Sequence, residues 1–257
     1  MVICIDVGNT DMVAGLFCND YLKEVIRFSY TKGDTAENYY ALLQQNLAAN
    51  NVDISLISGS LLCCVALNTA ENLAKAMEQL FGKAPVIFKN DAICGLAIKT
   101  EDPNEVGTDI IAGCMAAKEK YPLPCVVIDM GTATTLTAMD KDANVLGVSI
   151  LPGVFSTMWA LREKTGLPFE DNINATPKAI GTNTQKSIDS GIILGSAYAV
   201  DGLIQTIEEE IGQGECSAVA TGGVSQFITR HCRRKIELNN NLLLEGLYCY
   251  YKNSIIK

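Results

Sequence analysis

Histidine is nearly absent from this sequence: His231 stands alone, beside the basic residues Arg230, Arg233, Arg234 and Lys235. It reads as a surface or helix-end residue, which argues against histidine triads and histidine metal cages, so a catalytic base must be sought among the carboxylates. No Gly-x-x-x-x-Gly-Lys-Ser/Thr loop occurs, and with it goes the lysine that meets phosphate charge in many nucleotide-binding proteins. Cys-x-x-Cys spacing is missing as well. The 10 cysteines are scattered through apolar segments and read as small core residues in a reducing compartment, with Cys63 and Cys64 on opposite faces of a strand. An excess of positive charge is lacking too: 20 Lys plus Arg against 29 Asp plus Glu give −9, which argues against nucleic acid and anionic membrane as partners. No apolar run approaches the ~18 residues of a membrane span, and no basic leader precedes the first strand. A soluble, unexported, cytoplasmic protein is expected.

What is present suffices for two cores. The chain has 257 residues, 48% of them apolar, and two domains of about 120 residues each are the natural division. Tyr121-Pro122-Leu123-Pro124 stops one helix and restarts the chain as a strand, so the division is placed at 1–117 and 118–257.

The stretch that organises the first half is Ile3-Cys4-Ile5-Asp6-Val7-Gly8-Asn9-Thr10-Asp11. Its first residues are apolar and β-branched, as in a buried strand; Gly8 permits a tight turn with backbone N–H groups free for an anion. A carboxylate beside phosphates is repulsive by itself, so Asp6 makes sense as a direct or water-mediated ligand of Mg²⁺. The pattern recurs in Ile128-Asp129-Met130-Gly131-Thr132-Ala133-Thr134-Thr135. One Asp-x-Gly is an ordinary turn. Two, at the ends of apolar strands in near-equal halves, suggest duplicated phosphate loops serving the two ends of a triphosphate.

Local patterns fill in the rest. Met12–Phe17 and Glu24–Tyr30 form a hairpin about Asn19-Asp20, and Asp34 with Glu37 resembles a capping box for a helix running to Ala49. Strands are expected at 54–58 and 85–88, with a helix at 67–81 between them, and a further helix is expected from Thr108 to Lys120 with Asp109 in its first turn, where a carboxylate also suits the helix dipole. In the second half strands are expected at 136–139, 145–151 and 217–221, and helices at 155–164, 183–210, 224–231 and 242–252. Gly191, Gly195 and Gly202 are spaced as if another backbone packs closely against the long helix.

Asp6-Val7-Gly8-Asn9-Thr10, Glu105-Val106-Gly107-Thr108-Asp109, Asp129-Met130-Gly131-Thr132-Ala133-Thr134-Thr135, Gly181-Thr182-Asn183-Thr184 and Thr221-Gly222-Gly223 occur in this order. In order and spacing they resemble the type III pantothenate kinases, within the actin, Hsp70 and sugar kinase superfamily. The resemblance implies an α/β fold of two duplicated RNase H-like domains with an ATP cleft between them, and an enzyme that phosphorylates pantothenate in the first step of coenzyme A biosynthesis. It implies that Asp6, Val7, Gly8, Asn9, Thr10, Asp11, Met12 and Val13 form the first ATP loop and that Thr132 contacts ATP on the second. Asp109 would be the general base and Asp129 would bind K⁺ or NH₄⁺. Thr100, Gly107, Thr108, Asp109, Ile110 and Thr184 would contact pantothenate, with the site at a homodimer interface.

The chain departs from the family pattern where Gly-x-Asp-Arg ends in Ile110 and where a tyrosine seven residues before the glycine is Thr100. Gly147-Val148 stands where Gly-Gly is usual. The first two departures put the substrate side in question and leave two alternatives: a nucleotide-binding regulatory relative without kinase activity, or a kinase for another small hydroxy acid.

Overall fold

The computed structural model describes residues 1–8, 11–64, 66–173 and 176–255. These residues form two compact units, Met1–Gly95 with Val106–Ala116 and Leu243–Lys257, and Leu96–Glu105 with Ala117–Leu242. Each unit is built on one five-stranded sheet.

Sheet 1 contains β1 (Val2–Val7), β2 (Asp11–Cys18), β3 (Tyr21–Ser29), β4 (Gly59–Cys64) and β5 (Val86–Ile87), in the order β3-β2-β1-β4-β5. Sheet 2 contains β6 (Cys125–Met130), β7 (Ala133–Met139), β8 (Val145–Pro152), β9 (Ser217–Thr221) and β10 (Glu237–Leu238), in the order β10-β9-β6-β7-β8. In both, the strand ending in Asp-x-Gly is central, antiparallel to the next strand on one side and parallel to a later strand on the other. The duplication read from two short turns therefore extends to the whole sheet.

Position explains pattern. Central β1 and β6 are covered on both faces and read as continuous apolar runs, whereas edge strand β3 alternates exposed and covered residues. The β2–β3 turn uses Asn19 and Asp20 at φ 50° and 68°, a conformation their short polar side chains tolerate.

In the first unit α1 (Ala36–Ala49) and α2 (Leu67–Phe81) cover one face of sheet 1, with Tyr39, Leu43, Leu47, Leu73 and Met77 buried against Ile3 and Ile5. The cap of α1 lies one residue later than expected: Thr35 Oγ1 accepts from Asn38 N, while Asp34 holds Thr35 N and the Asn38 amide. Where a strand is expected at 54–58, Ile54–Leu56 form a 3₁₀ turn, because Asp53 accepts from both the backbone and hydroxyl of Ser55 and favours a turn over an extended chain.

Helix α3 (Thr108–Lys120) begins in the first unit, and the C-terminal helix α8 (Leu242–Ile255) belongs to that unit from Leu243 on. A Cβ on Gly246 would overlap the Ala112 carbonyl, so α3 and α8 cross backbone to backbone. The Phe17 and Tyr248 rings stack 4.2 Å apart. The last helix thus belongs to the unit that contains residue 1, which a linear division at 117 does not convey.

The second unit carries α4 (Val154–Thr165), α5 (Thr184–Asp189), a π-turn (Ser190–Leu194), α6 (Gly195–Ile211) and α7 (Ser225–Thr229). The continuous helical stretch Thr184–Ile211 is long and apolar enough, by length and composition alone, to cross a membrane, contrary to the expected absence of such a run. Its apolar side chains Ile188, Ile192, Val200 and Ile204 pack into the core of the second unit with Val126 and Ile128. Gly191, Gly195 and Gly202 are exposed, and a Cβ at any of them would meet nothing within 4 Å, so the expected close backbone is not supplied by the described residues of this chain.

Candidate active site

In the first unit the β1–β2 turn is closed by a hydrogen bond from Gly8 N to Asp11 O at 3.0 Å. Of the turn's backbone N–H groups, that of Gly8 is thus engaged within the turn itself. Tyr30, the residue after β3, donates its hydroxyl to Gly8 O at 2.7 Å. Burial, with Cys64, Tyr39 and Asp6 nearby, pushes the Tyr30 phenol up and keeps it a neutral donor. Ser29 Oγ donates to Asp11 Oδ1 at 3.2 Å, and Arg27 lies 3.9 Å from the other oxygen. Val7 and Met12 are buried in the core, so their part in any ligand contact is through the backbone. Asn9 and Thr10 lie outside the described residues.

Asp6 stands half-buried near the C-terminal end of β1, in register with Val13 on one side and Cys63 on the other. Opposite residues share a face of the sheet, so the Cys63 thiol is its neighbour. That thiol is 3% exposed and donates to Thr108 Oγ1 at 3.6 Å. Burial and the Asp6 charge push it up, the contact with Thr108 works against them, and the Asp109 charge adds to the rise. Asp109 is exposed, and its Oδ1 accepts from Ile110 N at 2.9 Å. A Cβ on Gly107 would overlap the Asp109 carboxylate. A side chain at 107 would displace the Asp109 carboxylate from where it folds back over the helix start. Ile110 is half-buried.

Asp6, Thr108 and Asp109 are accordingly gathered around Cys63, a residue that reads in the sequence as plain core. The sequence carries no signal for it: the strand is expected at 54–58, whereas β4 runs from Gly59 to Cys64, and its parallel pairing with β1 is seen only in the fold.

The second unit repeats the turn with one residue fewer. Residues 8–11 separate the pair Val7 and Met12, and residues 131–133 separate Met130 and Thr134. Gly131 N donates to Ala133 O at 2.9 Å. Thr132 is exposed, and its carbonyl accepts from Gly153 N at 3.0 Å and from Ser156 Oγ at 2.7 Å. A Cβ on Gly153 would overlap the backbone of Gly131 and Thr132; one on Gly222, at φ +95°, would overlap Met130. Two glycines distant in sequence therefore brace this turn. Asp129 is in register with Thr135 and Thr221, so two hydroxyl side chains share its face, where Asp6 has valine and cysteine.

Beside the second turn lies a cleft of about 340 Å³ with Gly131, Thr132 and Gly223 on its polar side and Phe155, Ile173 and Phe227 on its apolar side. A larger concavity of about 500 Å³ near Tyr198 and Arg233 contains none of the expected site residues. Thr184 is exposed in the first turn of α5, behind the cap formed by Asn183 on Lys186 N, and does not line the 340 Å³ cleft. Thr100 donates to Asp102 O at 3.1 Å. Among the described residues no group of three or more His, Cys, Asp or Glu side chains is arranged to hold a metal ion.

The family model described as type III pantothenate kinase matches residues 2–206. A type III pantothenate kinase of Desulfatibacillum aliphaticivorans is 34% identical over 248 residues, 96% of each chain, and one of Exiguobacterium sp. is 30% identical over 254 residues, 99% of each chain. Among solved structures, a Baf family protein from Campylobacter jejuni superposes with a TM-score of 0.58 at 16% identity, covering 99% of this chain and 100% of the other. A candidate N-acetylmannosamine kinase from Listeria monocytogenes gives 0.55 at 12% identity, covering 98% and 99%. At these identities the structures speak for the fold alone.

Proposed function

We propose a residue-level account of this chain, which belongs to the type III pantothenate kinase family and, as such a kinase, transfers a phosphoryl group from ATP to pantothenate in the first step of coenzyme A biosynthesis. The observation that carries the account is the grouping of Asp6, Cys63, Thr108 and Asp109 at the C-terminal ends of β1 and β4. Phosphoryl transfer asks a protein mainly for in-line positioning, charge neutralisation and a carboxylate to take the hydroxyl proton. Asp109 is that carboxylate. As the primary hydroxyl oxygen of pantothenate forms its bond to the γ-phosphorus, the bond from phosphorus to the leaving ADP oxygen breaks, and the hydroxyl proton passes to Asp109. Its exposure and its hold on Ile110 N support the role.

Asp6 holds Mg²⁺, directly or through water. Mg²⁺ is commonly bound by one or two carboxylates with the substrate phosphates supplying the rest, so one half-buried carboxylate beside a phosphate turn fits it. Bound there, the ion offsets charge on the transferring group. Asp129 holds a monovalent cation, K⁺ or NH₄⁺; the Thr135 and Thr221 hydroxyls on its face support an oxygen donor set. By the family pattern Thr132 contacts ATP at the second turn and residues 6–13 contact it at the first, and the apolar side of the 340 Å³ cleft takes the nucleoside. Thr100, Gly107, Thr108, Ile110 and Thr184 contact pantothenate, on the strength of the family pattern.

A cytoplasmic homodimer completes the reading; the open glycine face at Gly191, Gly195 and Gly202 and the exposed Trp159 and Ile180, at 64% and 82%, support the pairing. Sedimentation showing only a 27.6 kDa species would contradict it. The test of function is ADP release with pantothenate, ATP, Mg²⁺ and K⁺. Absence of pantothenate-dependent ADP rejects the kinase reading. Equal turnover in EDTA rejects the metal, and equal turnover with Na⁺ in place of K⁺ rejects the role given to Asp129.

A further inference from the structure

We propose that Arg162 is a positioning residue for the nucleoside end of ATP: it clasps the loop after α4 and so fixes the cleft wall formed by Ile173. The inference rests on reading the 340 Å³ cleft as the nucleotide pocket.

Arg162 lies in the last turn of α4. Its Nη1 donates to Asp171 Oδ2 at 2.7 Å, and its Nη2 donates to Asp171 Oδ1 and to Phe169 O, each at 2.8 Å. The guanidinium also lies 4.5 Å from the centroid of the Phe169 ring. One side chain thus grips the loop by a two-pronged ion pair, a carbonyl and a ring face. A second tether lies one residue away from each of these, where Glu170 N donates to Gln185 Oε1 at 2.8 Å; Gln185 in turn donates to the buried Asp189 at 2.9 Å. The loop has no regular structure between Gly166 and Ile173, so these contacts decide its course. Phe169 and Ile173 pack partly buried on the core of the unit, and Ile173 then lines the cleft beside Phe155 and Phe227.

The two ends of α4 therefore serve the two ends of one ligand. Gly153 at its N-cap and Ser156 in its first turn bind the Thr132 carbonyl of the phosphate turn, while Arg162 in its last turn sets the apolar wall. An arginine suits this because its planar fork matches carboxylate geometry in a way lysine cannot. The side chains are 33% and 61% exposed, and pairs this open add little to global stability. The clasp is therefore expected to govern where the loop lies and to leave the stability of the fold unchanged.

Calorimetric titration of the full chain with ATP and with inorganic tripolyphosphate, which carries no base, tests this. Arg162→Met and Asp171→Asn should each raise the Kd for ATP about 3- to 10-fold. The double variant should bind ATP no more weakly than Arg162→Met alone, because Asp171 acts in the clasp through Arg162. Tripolyphosphate affinity should be unchanged, the melting temperature should stay within about 2 °C, and Arg162→Lys should be intermediate. An unchanged Kd for ATP in both single variants, or parallel losses for ATP and tripolyphosphate, would overturn the proposal. Because the titration needs no pantothenate, a failure of the kinase assay and a failure of the clasp are read separately.

Discussion

The Cys63 thiol and the Thr108 hydroxyl, on a strand and a helix separated by 45 residues of chain, meet at 3.6 Å beside Asp6 and Asp109. The contact keys the helix that carries Asp109 to the strand beside β1. Cys63→Val keeps similar bulk and removes the donor; a neutral hydrogen bond of about 0.5–1.5 kcal/mol corresponds to about a 2- to 10-fold fall in kcat. Cys63→Ser, which keeps a donor, should retain most of the turnover. Steady-state kinetics on the two variants check this, and equal losses in both would assign Cys63 to packing alone.

Asp109→Asn should cut turnover about 10²- to 10⁴-fold, the range for loss of a general base. Asparagine can still accept from Ile110 N, so the helix start should survive and ATP binding should change little. Normal turnover in this variant would reduce Asp109 to a helix-end charge.

Gly222→Ala and Gly223→Ala should part company. At Gly222 an alanine meets both an unfavourable φ of +95° and the Met130 backbone, so about 1–3 kcal/mol of stability should be lost. At Gly223 a Cβ meets nothing within 4 Å, and stability should change by no more than about 0.5 kcal/mol, although the cleft is altered. Urea midpoints compare the two, and equal destabilisation would contradict the bracing of the second turn.

Ile110 offers only apolar contact where the family has an arginine, and a charge-assisted hydrogen bond to the pantothenate carboxylate contributes about 1.5–3 kcal/mol. The KM for pantothenate should therefore be about one to two orders of magnitude above that of an arginine-bearing relative. Ile110→Arg with Thr100→Tyr should lower it and leave the KM for ATP alone. A double variant that binds pantothenate no better would point to a pocket rebuilt for another hydroxy acid.

Stability should fall as pH rises above about 9. Burial pushes Cys125 up to about 11 and Cys232 up to about 12, from an ordinary 9.0; burial and the bond to Asp20 push Tyr248 up to about 12, from 10.0. Cys4 and Cys63 are raised further. The unfolded chain loses these protons first, so their contribution is whole below the ordinary values and disappears as pH climbs through the raised ones. Urea midpoints between pH 7 and 11 measure it, and a flat profile from 9 to 11 would exclude it.

The sequence by itself determined what depends on near neighbours along the chain. An apolar β-branched run followed by Asp-x-Gly specifies strand and turn wherever it occurs, so the two halves, the central strands and the helix carrying Asp109 were legible from residues 2–11, 108–120 and 125–135. Competition by a nearby side chain shifted the local detail at 54–58, where Asp53 binds Ser55 and wins a turn from a β-branched start.

Tertiary structure alone decided which distant residues meet. Nothing in the neighbours of Cys63 announces Thr108, and nothing around Gly153 or Gly222 announces the turn at Met130 to Thr132 that forbids them a side chain. The last helix reads as the close of the second half, yet it lies in the first unit, because Gly246 lets its backbone reach Ala112 and Tyr248 stacks on Phe17 of β2. Likewise the glycines of the long helix are visible as a spacing, but whether a backbone covers them depends on surfaces elsewhere in the fold. Periodicity and turn chemistry are properties of a few consecutive residues; close approach is a property of two segments, and only the folded chain brings both to one place.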